Sequence, residues 1–113
     1  MSDIGFSQYV SSPYSSPGHW NDPDMLVVGW VGWGSTQHPT RLTPDEQYTH
    51  ISLWCLLSAP LMIGCDLSRL DDFTLNLLCN DEVLAVNQDQ LGKQAGKYFD
   101  QENIQYWIKP LYD

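Results

Sequence analysis

The sequence predicts an α/β chain, with two strand–helix units in series followed by a β-hairpin. Three observations carry this reading. "TPDE" (43–46) is a helix start that leads into an apolar run. "LMIGC" (61–65) is a short apolar strand just after that helix. "KYFD" and "IQYWIKPL", separated by "QEN", alternate as paired strands do. Strand, helix, strand, helix in that order call for a parallel sheet, and the hairpin for a separate all-β region.

Taken in order, Phe6, Tyr9 and Val10 have the spacing of the last turns of a helix. "SSPYSSPG" (11–18) breaks regular structure and reads as a loop. "HWNDPDMLVVGW" is strand-like until Pro23, so its second half is read as loop, which "GWVGWGSTQHPTR" continues. Thr43 stands at an N-cap, Pro44 at the first helical position and Glu46 three residues past the cap, which together make a capping box. The helix should run to Ser58, where Ala59-Pro60 ends it. Its second half is apolar on most faces, so it should be buried against more than one neighbour. "LMIGC" has no polar alternation, as in strands covered on both faces, and parallel pairing of 19–25 with 61–65 is expected. "DLSRL" is a loop. Asp71 then caps a helix through "DFTLNLLC", with Leu70 and Leu75 spaced as a staple, and Asn80 caps a second short helix, "DEVLAVNQ". "NQDQLGKQAG" (87–96) reads as the linker to the hairpin.

Composition narrows the function. At 113 residues the chain holds one domain's worth of sequence, and its hydrophobic fraction of 42% is that of a globular protein. Fourteen acidic against five basic residues give a net charge of −9, which disfavours nucleic acid and anionic membranes as partners. No apolar run approaches the ~20 residues of a membrane helix. "MSDIGFSQ" shows neither the basic nor the apolar region of a signal peptide. Cys55, Cys65 and Cys79 lie in apolar runs without a C-x-x-C pair and are expected to be three buried thiols.

The chemistry concentrates in "PGHWNDPDML" (17–26). In an extended strand Asp22 and Asp24 would point to one face. The residues alone leave three readings open. The two aspartates could cap backbone N–H groups around Pro23. They could work on a substrate as paired carboxylates. They could hold a hard cation with His19 and Asn21. Trp20, Trp30 and Trp33, expected to crowd the same strand end, favour sugar, because flat aromatic faces suit a pyranose while carboxylates and amides bind its hydroxyls. "GWVGWG" is too aromatic for a phosphate-cradling loop.

"GHWNDPDML", "SLWCLLSAPLMIGCDL" and "NDEVLAVNQDQLGKQ", in that order, resemble the C-terminal part of the catalytic barrel of glycoside hydrolase family 27, the α-galactosidases or melibiases. The resemblance implies a fragment of a (β/α)₈ TIM barrel, its last two βα units, in residues 1–90, followed by the first strands of a C-terminal β-sandwich in 91–113. A complete barrel of this kind takes ~250 residues. The resemblance further implies a retaining mechanism on terminal α-D-galactosides, with the acid and the nucleophile both expected before Met1, and so no catalytic residue in this chain. Asp24 and Met25 would line the sugar pocket, with Trp20 as a further substrate-binding candidate, and Asp22 would hold the turn. No metal or organic cofactor is expected, since two carboxylates and water suffice. The partner the resemblance implies is a carbohydrate, a galactoside. The loop "GWVGWGSTQHPTRL" departs from simple α-galactosidases in length and tryptophan content, which leaves the sugar open. Two alternatives are a non-catalytic carbohydrate-binding module and an inactive truncated product.

Overall fold

The structure is a computed structural model and describes residues 1–112. Helix α1 (Ser2–Ser7) runs into a 3₁₀ segment, Gln8–Tyr14, which contains Pro13. The loop expected over 11–18 therefore begins only after Tyr14. A proline lacks the N–H that a longer α-helix would need, and the tighter turn accommodates it. Gly5 is the one buried residue of α1. A Cβ there would lie 2.5 Å from Trp54 Cζ3, so only glycine lets α1 approach so closely.

Helix α2 (Pro44–Leu56) is the centre of the core and packs against α1, α3 (Asp72–Leu78) and α4 (Asp81–Asn87). Ile51, Leu53, Trp54, Cys55 and Leu57 from α2 and its cap are buried with Leu26, Val28, Ala59 and Leu77. The capping box forms as expected. Glu46 N–H donates to Thr43 Oγ1 (3.2 Å), and Thr43 N–H donates to Glu46 Oε2 (2.8 Å). Replacing Thr43 with alanine should lower the unfolding free energy by about 1 kcal/mol. Urea denaturation checks this, and an unchanged midpoint would mean the box contributes nothing.

The helix stops at Leu56 rather than Ser58. Ser58 takes φ +53°, Ala59 N–H donates to Trp54 O (3.0 Å) and Ser58 N–H to Cys55 O (3.2 Å). This is a Schellman ending with serine in the place usually held by glycine. Lys109 reaches the same helix end from beyond the hairpin. Its ammonium donates to Ser58 Oγ and to Lys93 O.

The two expected parallel segments meet at one bridge, Leu26 with Ile63. Leu26 N–H donates to Met62 O (2.8 Å) and Gly64 N–H to Leu26 O (3.0 Å). The pairing sits just beyond the expected 19–25, and neither segment becomes a regular strand. Positive φ at Asp24 (+82°) and Gly29 (+72°) bends the backbone on both sides of Leu26. No residue from 61 to 65 is buried, and Met62 and Ile63 are more than half exposed. The loop expected beyond Trp30 instead holds a small antiparallel pair, β1 (Trp30–Val31) with β2 (His38–Pro39).

Asp71 and Asn80 cap α3 and α4 as expected, accepting from Thr74 N–H (2.7 Å) and Val83 N–H (3.1 Å). Segment 87–96 is not a free linker. Asn87, Gln94 and Ala95 are buried. Asn87 Nδ2 donates to Ala59 O (2.9 Å), Ala95 N–H to Leu56 O (2.9 Å) and Gln94 Nε2 to Gln8 O (2.8 Å). The Asn87 amide thereby satisfies a carbonyl that would otherwise be buried unpaired. Strands β3 (Gly96–Gln101) and β4 (Ile104–Ile108) then form the expected hairpin. Glu102 and Asn103 both have positive φ (+53° and +65°), as a two-residue type I′ turn requires. Trp107 packs edge-on against Phe6 and Tyr9.

The expectation of three buried thiols needs correction. Only Cys55 is buried, and burial pushes its thiol up to about 11. Cys65 is partly covered, and Cys79 is exposed at the C-cap of α3.

Candidate functional site

The segment from Asp22 to Gly29 is built from inside the sequence and anchored from outside it. Asp24 N–H donates across Pro23 to Asp22 Oδ1 (2.9 Å), an Asx turn. The turn places Asp24 in the left-handed region, where Met25 N–H donates to Asp24 Oδ1 at 2.7 Å. Asp24 Oδ2 makes no hydrogen bond among the described residues, and both aspartates are exposed. The two carboxylates therefore do not stand as a pair on one face of a strand. Each is engaged by a neighbouring backbone N–H. Asn21 is taken up elsewhere, donating to Ser11 O and Gln94 Oε1. Among the described residues no group of three or more His, Cys, Asp or Glu is placed to hold a metal ion.

The anchoring comes from one face of α2. Gln47, His50 and Trp54 are spaced by three and four residues and are all buried. Trp54 Nε1–H donates to Asp24 O (2.8 Å), Val27 N–H donates to His50 Nε2 (3.0 Å), and Gly29 N–H donates to Gln47 Oε1 (3.4 Å). Thr40 Oγ1–H closes the set by donating to Val27 O (2.6 Å). The rings of His50 and Trp54 pack as a T, 4.2 Å between centroids. His50 is fully buried, and that burial lowers its pKa to about 4. It is therefore neutral at neutral pH, and an Nε2 that accepts puts the ring proton on Nδ1. Sequence reasoning passed over all three residues as the body of a helix. The signal was there, in two polar side chains at helical spacing on a face that otherwise turns apolar.

Met25 is half-buried and packs on Gly64, where a Cβ would come within 2.7 Å of its Sδ. The structure thus holds Asp24 and Met25 together at the bend. It places Trp20 apart from them. Trp20 lies over Gly92 and lines an open cleft of about 320 Å³ with Ser58–Leu61 and Asn87–Gln90. The expected crowding of three tryptophans at one strand end is not observed. Trp30 lies under the Arg69 guanidinium, 4.1 Å from its ring centroid, and Trp33 projects into solvent from the β1–β2 connection. The β1–β2 hairpin carries these two away from the segment that holds Trp20.

The family model described as Alpha galactosidase A matches residues 4–89. The chain belongs to the α-galactosidase, or melibiase, family. A family relative, the α-galactosidase of Cyamopsis tetragonoloba, is 42% identical over the whole of this chain, which covers 25% of that protein. Among solved structures of the family, a Bacteroides fragilis protein of the α-galactosidase/melibiase type superposes with a TM-score of 0.87 at 38% identity, over 97% of this chain and 24% of its own. A β-L-arabinopyranosidase of Geobacillus stearothermophilus, also of glycoside hydrolase family 27, superposes at 0.83 with 37% identity, over 93% of this chain and 25% of its own. The chain thus spans about a quarter of the length of the family members it matches.

Proposed function

We propose that the chain forms one wall of the sugar pocket of a retaining glycoside hydrolase acting on terminal α-D-galactosides. Residues 1–90 would be the last quarter of the catalytic barrel and 91–113 the start of a β-sandwich. The acid and the nucleophile would come from polypeptide preceding this segment in the parent protein. Relatives about four times longer support this reading. The observation that carries it is Asp24. A non-glycine residue held at φ +82° is strained, and such strain persists where the surroundings impose it, often at ligand sites. Here the imposing contacts are Asp22 on one side and Trp54 on the other, and one carboxylate oxygen is left free toward solvent. That oxygen would accept from sugar hydroxyls, beside the apolar surface of Met25. Assay of a β-L-arabinopyranoside beside the α-galactoside reads out the choice of sugar, since a family member of similar structure is a β-L-arabinopyranosidase.

The test compares Asp24→Asn with Asp22→Asn in the protein that carries this chain in its natural reading frame. Asparagine tolerates the left-handed region, so Asp24→Asn keeps the backbone and removes the charge. A charge-assisted hydrogen bond contributes ~1.5–3 kcal/mol, so kcat/KM on a nitrophenyl α-galactoside should fall roughly ten- to a hundred-fold with little change in Tm. Asp22→Asn should act mainly on Tm, because its carboxylate touches only the turn. A normal kcat/KM with a large drop in Tm for Asp24→Asn would make Asp24 structural. A loss beyond about a million-fold would place it among the catalytic groups instead.

A further inference from the structure

We infer that His50 is a positioning residue for the sugar pocket, holding the Asp24–Met25 bend in place by accepting the Val27 N–H on its Nε2. The inference rests on the reading of Asp24 and Met25 as pocket residues. The geometry behind it is specific. Leu26 turns its N–H and C=O toward Met62 and Gly64, which leaves those of Val27 facing the other way. In a sheet that edge would pair with another strand. Here a histidine and a threonine take it, His50 accepting the N–H and Thr40 donating to the C=O. Val27 is two residues from Met25, so its position sets where the bend points. The histidine has no second task. Its Nδ1 is buried and without a partner among the described residues, so no hydrogen bond on that side fixes the ring. What fixes the ring is the Val27 bond and the perpendicular packing on Trp54, which itself holds the Asp24 carbonyl.

The ring can do this only while neutral, because imidazolium has no acceptor. Burial keeps it neutral down to about pH 4. The acidic groups of the packed elements leave the ring unpaired. Asp3 on α1, and Asp22 and Asp24 on the anchored segment, are exposed, and one oxygen of each of the last two accepts a backbone N–H. None of these is hydrogen-bonded to the ring.

Two variants separate positioning from packing. His50→Phe keeps a ring against Trp54 but removes the acceptor. His50→Gln places an amide oxygen near the site of Nε2 and cannot titrate. Amide exchange followed by NMR on the full chain should show Val27 protected in the wild type and in His50→Gln. In His50→Phe its protection should fall at least ten-fold. Wild-type protection should be lost as pH drops through about 4, while that of His50→Gln should persist. In the parent enzyme, His50→Phe should lower kcat/KM about ten-fold with His50→Gln restoring most of it. Unchanged Val27 protection in His50→Phe would overturn the inference. So would a normal kcat/KM in His50→Phe when Asp24→Asn is impaired. If Asp24→Asn is also unimpaired, the pocket reading fails and takes this inference with it, even where Val27 protection follows the expected pattern.

Discussion

Trp54→Ala should destabilise the chain by about 3–5 kcal/mol, the range for removing a large buried aromatic side chain. Trp54 is 1% exposed and sits between α1, which approaches through Gly5, and the anchored segment. Its loss opens a cavity and also removes the only donor to the Asp24 carbonyl among the described residues. Trp54→Phe separates the two effects. Most of the volume remains, so the cost should fall to about 1–3 kcal/mol, set mainly by the unpaired carbonyl. Denaturant unfolding of both variants measures this. If the alanine variant loses under 1 kcal/mol, Trp54 is not the keystone of the core, and the anchoring of Asp24 by α2 would lose its support. Small domains hold only about 5–15 kcal/mol in all, so the expected alanine effect is a large share of the total.

The second large effect is on pH dependence. Unfolded, His50 titrates near 6.5, whereas folded it titrates near 4. The unfolded chain therefore binds a proton more readily between these values, and stability must fall as pH is lowered from about 6.5 to about 4. Above that window His50 contributes no slope. The total loss is on the order of 3 kcal/mol, from a shift of about two and a half pH units. Asp66 and Asp71 act lower down. Hydrogen bonds from Ser68 and from Thr74 hold their carboxyls below the ordinary 3.8, so their contribution is present above that value and is lost only at more acid pH. Unfolding free energies at pH 7 and pH 4.5 for the wild type and for His50→Gln make the test. The wild type should lose most of the expected difference and the glutamine variant little of it. Equal losses would assign the acid sensitivity to carboxylates.

Helix caps were the most legible part of the fold. Thr43, Asp71 and Asn80 act through their own neighbours in sequence, and each forms the bond its position predicts. The hairpin was legible for the same reason, since its turn and alternation are local. Strand pairing was legible only in outline. That Leu26 meets Ile63 follows from a βα unit, but the bends at Asp24 and Gly29 depend on bonds to α2 that no local pattern announces. The packing of segment 87–96 is not legible, because amide-rich polar sequence looks exposed until its amides are seen filling buried positions, as those of Asn87 and Gln94 do. Of the candidate site, Asp24, Met25 and Trp20 are legible through the family resemblance of one motif, whereas Gln47, His50 and Trp54 carry no such signal. They reach another segment's backbone, and a one-dimensional pattern does not encode distance across a core.

The ladder of bonds from α2 to the Asp24–Gly29 backbone also bears on the order in which the chain can assemble. Its three bonds join residues 30, 23 and 18 positions apart, while the bridge from Leu26 to Ile63 spans more chain. Shorter loops cost less entropy to close. The helix can thus recruit its preceding segment first and present Leu26 already oriented, so that Met62 and Gly64 add to a template rather than search for a partner. In kinetic terms, substitutions at His50 and Trp54 belong with the folding nucleus and should slow folding, whereas substitutions at Ile63 should chiefly speed unfolding.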